Sequence, residues 1–186
     1  QGILQIINIP WISPSRFLGL EMMKGKTPEA IGRMVVSHLS DKVSSLASEL
    51  NEHEPAIMVA HGTFSGATYS SERSIWMSSD WIIPLEVCQV SPHISYVALG
   101  HIHKHQVLAT NPPVVYSGSI SRVDFSEEKD PKGFIIADIE TGNPARWRFV
   151  ELPARPFRTI TVDMRDTNPQ LLMPLIIAAI EKQIAK

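Results

Sequence analysis

Two short apolar runs, Pro55 to Ala60 and Ser95 to Leu99, each stop at a histidine set beside a glycine, His61-Gly62 and Gly100-His101. Continuous apolar runs of this length, unlike the alternating pattern of a half-solvated sheet, are strands buried on both faces. Such strands must be covered by helices or by a second sheet, which places the chain among the α/β folds. In those folds ligands bind in the crevice beyond the carboxyl ends of the strands. The same pattern that limits the architecture therefore sets two imidazoles where a site is expected.

A covering helix is legible upstream. Thr27-Pro28-Glu29 reads as an N-cap, a first-turn proline and a first-turn acid. Beyond it Ile31, Met34, Val35, Leu39, Val43, Leu46 and Leu50 recur at three- and four-residue steps, the apolar stripe of an amphipathic helix. Ile3 to Ile9 reads as a preceding strand ended by Pro10, followed by a loop with Trp11, Pro14 and Gly25. Thr63 to Glu72, rich in Ser, Thr and Gly, reads as an exposed loop on the edge of His61. More strands are expected at Val114 to Tyr116, Phe134 to Ile139 and Ala145 to Val150, joined by links too short for helical crossovers and hence antiparallel. Leu152-Pro-Ala-Arg-Pro156 reads as a linker. After it, Arg158 to Met164 alternates like a strand, and Leu171 to Ile184 like a helix that Pro174 either starts or kinks. The expected division is residues 1–152 and residues 153–186.

Composition removes several classes of function. With 186 residues, 44% of them apolar, the chain can bury a core. One cysteine, Cys88, rules out an internal disulfide and a cysteine-based zinc site. There is no apolar run of the length a membrane span needs and no signal-peptide pattern, so the expected location is the cytoplasm. The net charge of −2 announces no nucleic acid, and contact with DNA would have to come from a local patch.

The histidines are the chemical signal. In Gly100-His101-Ile102-His103 the two imidazoles occupy alternate positions and project to one side of an extended segment, near enough to ligate one metal ion or two adjacent ones. A lone histidine is more often satisfied by hydrogen bonds than by a metal, and His38, His53 and His93 are read that way; here three converge, His61, His101 and His103. His105 continues the alternation and suits a phosphate or supporting contact better than ligation. Three imidazoles alone would suit a mononuclear zinc site with an open water position. Two dications about 3.5 to 4 Å apart need carboxylates as well. None of Asp41, Asp80, Asp124, Asp130 and Asp138 stands at a strand end facing the histidines, so the site reads as incomplete.

Several motifs together resemble the SbcD family of nuclease subunits: Val59-Ala-His61-Gly, Ser65-Gly-Ala, Ser71-Glu-Arg-Ser-Ile75, Ala98-Leu-Gly-His101-Ile-His103-Lys-His-Gln106, Val114-Val-Tyr-Ser-Gly-Ser-Ile120, Arg122-Val-Asp-Phe125 and Glu127 to Gly133. One departure is Ser121, where the family pattern has an acidic residue. The resemblance implies part of a calcineurin-like α/β/β/α sandwich without its N-terminal half, the chain starting inside a larger fold, and then the beginning of a small α+β cap domain. It implies that His61 and His101 ligate one Mn²⁺ and His103 the other, with Mg²⁺ or Zn²⁺ as alternatives. The family's upstream Asp-x-His, Gly-Asp and Gly-Asn-His-Asp motifs are absent, so no catalytic residue is expected within the chain and the piece alone is expected to be inactive. Lys104, His105 and Arg122 are candidates for steadying DNA phosphates. The partners implied are DNA, an SbcC-type ATPase and a second copy of the intact subunit. Two alternatives stand beside this reading: a non-catalytic docking or dimerisation module, and a mononuclear three-histidine zinc hydrolase.

Overall fold

A computed structural model describes residues 3–69, 81–165 and 168–184. In chain order the described residues form β1 (Gln5–Ile9), the short helices α1 (Pro14–Phe17) and α2 (Leu20–Met23), α3 (Pro28–Ser48), β2 (Ala56–His61), β3 (Thr63–Phe64), β4 (Ile82–Ile83), β5 (Ile94–Gly100), β6 (Gln106–Thr110), β7 (Pro113–Tyr116), β8 (Gly133–Asp138), β9 (Arg146–Glu151) and α4 (Leu172–Ile184). The expected loop from Thr63 opens instead on a buried strand, because Thr63 and Phe64 pair in parallel with Ile82 and Ile83. The Ser71-Glu72-Arg73 part of that loop lies outside the described residues.

The long helix begins where its cap predicts. Thr27 is extended (φ −74°, ψ 157°) and its hydroxyl accepts from the Ala30 amide at 3.3 Å, with Pro28 in the first turn. Gly32, Val35, Leu39, Val43 and Ala47 form its buried stripe. Trp81 lies against Gly32, where an added Cβ would come within 2.7 Å of the indole.

Five strands make the central sheet in the order β1-β2-β5-β7-β6. The first four are parallel and β6 is antiparallel to β7. The later strands are thus antiparallel in part only: the chain reverses along β6 and returns as β7, parallel to β5. One face of the sheet, with Ile7, Met58, Val97, Val114 and Tyr116, packs on Leu39, Val43 and Ala47 of α3. On the opposite face Tyr96 and Val115 pack with Ala145 and with Ile135, Ala137 and Trp147 of the β8–β9 hairpin. The layers are helix, mostly parallel sheet, and second sheet, a mixed α/β arrangement.

Beyond Glu151 the chain leaves both sheets. The strand expected over Arg158 to Met164 does not form, since no strand of the described residues pairs with it. Its alternation lacks a ladder, and the Thr159 amide donates to the Glu128 carboxylate at 3.0 Å instead. The last helix is introduced by a 3-10 turn at Pro169–Leu171, capped by the Asn168 side chain accepting from the Gln170 amide at 3.0 Å. Pro174 falls at its third residue, in the first turn, where a missing N–H costs nothing.

Candidate metal and phosphate site

Register brings the first two histidines together. His61 is the last residue of β2 and is opposite Gly100, the last residue of the adjacent parallel strand β5. His101 follows at once, so both imidazoles stand at the same carboxyl edge, with ring centroids 5.3 Å apart and planes at 65°. Gly100 suits this closeness: a Cβ there would lie 3.1 Å from His61 Nδ1, tighter than an ordinary contact. The chain turns sharply at His101, whose φ of +104° is rare for a residue with a side chain and recurs at functional sites. Trp11, half exposed, closes one side, its ring centroid 4.9 Å from that of His101 and 6.0 Å from that of His61. Burial, and after it the neighbouring His101, push the His61 pKa below its ordinary value. The neutral imidazole so favoured is the form that ligates metals.

Behind His61 the loop is pinned from the sheet. The Tyr116 hydroxyl, wholly buried, donates to the Gly62 carbonyl at 2.6 Å and accepts from the Phe64 amide at 3.1 Å. Burial raises its pKa strongly, so it stays a neutral donor.

Ile102 is 2% exposed and packs into the core, which leaves His101 and His103 partly exposed on either side of it. The structure does not gather all three histidines into one cage: His103 is held by a different group, and among the described residues no three or more His, Cys, Asp and Glu side chains are arranged to hold a metal ion. His103 Nδ1 is 3.0 Å from Glu127 Oε1. The other carboxylate oxygen binds Lys132 Nζ at 2.6 Å and accepts from the Val123 amide at 3.3 Å. Both charged side chains are fully buried. Burial alone would raise the Glu127 carboxyl, but the bonds from Lys132 and His103 outweigh it and hold the group below its ordinary range. Attention to aspartates at strand ends misses this glutamate, which lies in a 3-10 turn at Phe125–Glu127; its signal is an acid spaced five residues from a lysine within the Glu127 to Gly133 motif.

The phosphate candidates separate. Lys104 is partly exposed beside the histidines. His105 donates from Nδ1 to the Tyr116 carbonyl at 2.8 Å and stacks on Phe149 with centroids 4.3 Å apart, a packed position. Arg122 turns inward, donating to the carbonyls of Glu127 (3.0 Å), Asp130 (3.0 Å), Arg155 (3.2 Å) and Ala154 (3.5 Å). Its guanidinium braces the loop against the outgoing linker, which is a different task from the phosphate contact expected of it.

The donor set fits the nitrogen part of a two-metal centre: two imidazoles side by side at one strand edge and a third oriented by a carboxylate. Dications also need ligating carboxylates, and the Glu127 carboxylate is already engaged by Lys132 and His103.

No family model matches the chain. Individual proteins do. The chain is 30% identical over 130 residues to the SbcD subunit of the SbcCD nuclease of Staphylococcus epidermidis, covering 69% of the chain and 34% of that protein. It is 28% identical over 180 residues to the corresponding SbcD subunit of Rhodobacter capsulatus, covering 96% of the chain and 42% of that protein. The chain thus spans well under half the length of these relatives. With the strand-end histidines and the motifs around them lying inside a match that runs along nearly its whole length, the chain belongs to the SbcD-like family.

Proposed function

We propose that this chain contributes the His61, His101 and His103 portion of a two-metal phosphodiesterase centre, and through it the hydrolysis of DNA by an SbcD-type nuclease. The observation that carries the reading is the pairing of His61 and His101 at the ends of adjacent parallel strands, 5.3 Å apart by ring centroid. In this reading His61 and His101 serve one ion and His103 the other, and Mn²⁺ is the ion of choice. Metal ions so placed would supply polarisation of the phosphate and an activated water. The chain's own part is to hold these imidazoles at fixed spacing, with Gly100 admitting the His61 ring and Tyr116 fixing the loop behind it. In this reading Lys104, partly exposed and next to His103 in the chain, is the phosphate contact. An SbcC-type ATPase and a second nuclease subunit are the partners this reading implies.

The test is reconstitution. The chain alone is expected to be inactive; extended at its N-terminus by the corresponding region of an SbcD relative, it is expected to hydrolyse double-stranded DNA with Mn²⁺ and to lose at least a hundred-fold in rate, about 3 kcal/mol in barrier, on His101→Ala. A folded, extended protein without metal-dependent activity would overturn the proposal.

A further inference from the structure

Among the described residues the buried charged side chains are Glu127 and Lys132. A buried ion pair is weak evidence of stabilisation, since its desolvation offsets much of its attraction. Among the bonds this pair makes that apolar residues could not supply is a fixed hydrogen bond to His103. We propose that Glu127, anchored by Lys132, is a positioning residue that holds His103 in its Nδ1–H tautomer and presents Nε2 to a divalent cation. The inference rests on the reading of His103 as a ligand.

An ionised carboxylate only accepts hydrogen bonds, so at 3.0 Å from Glu127 Oε1 the His103 Nδ1 must be the donor. In the neutral ring the lone pair then falls on Nε2. Carboxylates behind metal-binding histidines act in this way elsewhere, fixing both the tautomer and the ring orientation. The anchoring is unusually complete. Lys132 Nζ binds Glu127 Oε2 at 2.6 Å, the His103 carbonyl at 3.2 Å and Ser119 Oγ at 2.9 Å, so one ammonium references both the backbone and the ring support of His103. Gly118 crosses so close that a Cβ would stand 2.8 Å from the His103 carbonyl oxygen, so the two backbone segments lie tightly against each other. His105 provides the contrast: its Nδ1 donates to a neutral carbonyl and its ring stacks on Phe149.

Nitrogen-15 NMR of the metal-free chain reads the tautomer directly. The expected result is a His103 ring protonated at Nδ1; a predominantly Nε2-protonated His103 in the wild type would overturn the proposal without recourse to any variant. The double variant Glu127→Leu with Lys132→Met removes both charges together and strands neither. If folded by circular dichroism, it is expected to lose the Nδ1–H preference and to bind Zn²⁺ at the His103 ring ten- to hundred-fold more weakly. An unchanged tautomer in the folded double variant would equally defeat the idea. Zn²⁺ that leaves the His103 ring unshifted in the N-terminally extended wild-type protein, with the tautomer as expected, would instead defeat the ligand reading on which it rests.

Discussion

Gly100 and Tyr116 define the site from opposite sides. Gly100 lacks the side chain that would press on His61, and Tyr116 ties down the glycine after the histidine and the Phe64 amide beyond it. Replacing Gly100 by Ala puts a Cβ 3.1 Å from His61 Nδ1. It should cost about 1 kcal/mol of overpacking in urea unfolding and shift the His61 ring resonances; both unchanged would show that the contact relaxes freely. Tyr116→Phe leaves a buried carbonyl and a buried amide without their partner and should cost about 1 to 3 kcal/mol in the same assay. At this scale the sequence named His61, His101 and His103 as ligands but assigned Glu127 no role beyond its motif. A histidine at a strand end announces itself by local pattern, whereas the carboxylate behind it arrives from 24 residues downstream through a loop.

Among the elements, the long helix was the most legible, because its signals are local: a threonine cap, a proline in the first turn and a stripe of three- and four-residue steps. Thr27→Ala should remove about 1 kcal/mol from global stability, measured by denaturant unfolding, through loss of the bond to the Ala30 amide. β2, β5 and β7 were equally plain as continuous apolar runs. β6 was not foreseen: Gln-Val-Leu-Ala-Thr carries neither a run nor a clean alternation, and it becomes a strand because β7 offers it an edge. The converse holds for Arg158 to Met164, which alternates well and finds no partner strand among the described residues. A strand is a property of two segments, and only one of them is visible in a local pattern.

Across the whole molecule, two devices hold the parts in place. Arg122 joins the loop bearing Glu127 to Ala154 and Arg155 of the linker, and Phe125 packs on Phe157 with centroids 4.8 Å apart. Arg122→Ala is expected to release residues 152–159, read as faster limited proteolysis in that segment than in the wild type; an equal rate would show the aromatic pair to be sufficient. The second device is a core that buries ionisable groups in their neutral forms. Burial pushes the Cys88 thiol up to about 12 and the Tyr96 hydroxyl up to about 12, from ordinary values near 9 and 10. In the unfolded chain these groups lose their protons first, so their contribution is intact below pH 9. It declines as the pH rises toward 12, by about 1.4 kcal/mol per pH unit for each group ionised only in the unfolded chain. Unfolding by denaturant at pH 8, 10 and 11 should show that fall, and a flat profile would contradict it.

Local sequence was enough to set the alternation of helix and buried strand, the cap and apolar face of α3, the histidines at the strand ends and the likeness to the SbcD family. The first three follow from short-range stereochemistry and from the need to cover apolar runs, both of which act within a few residues; the likeness rests on the motifs themselves. It took the folded chain to establish that His61 faces His101, that His103 belongs to Glu127 and Lys132, and that Arg122 turns inward to four carbonyls. Those outcomes depend on strand register and loop crossings between segments tens of residues apart, where burial selects among partners that no local pattern distinguishes.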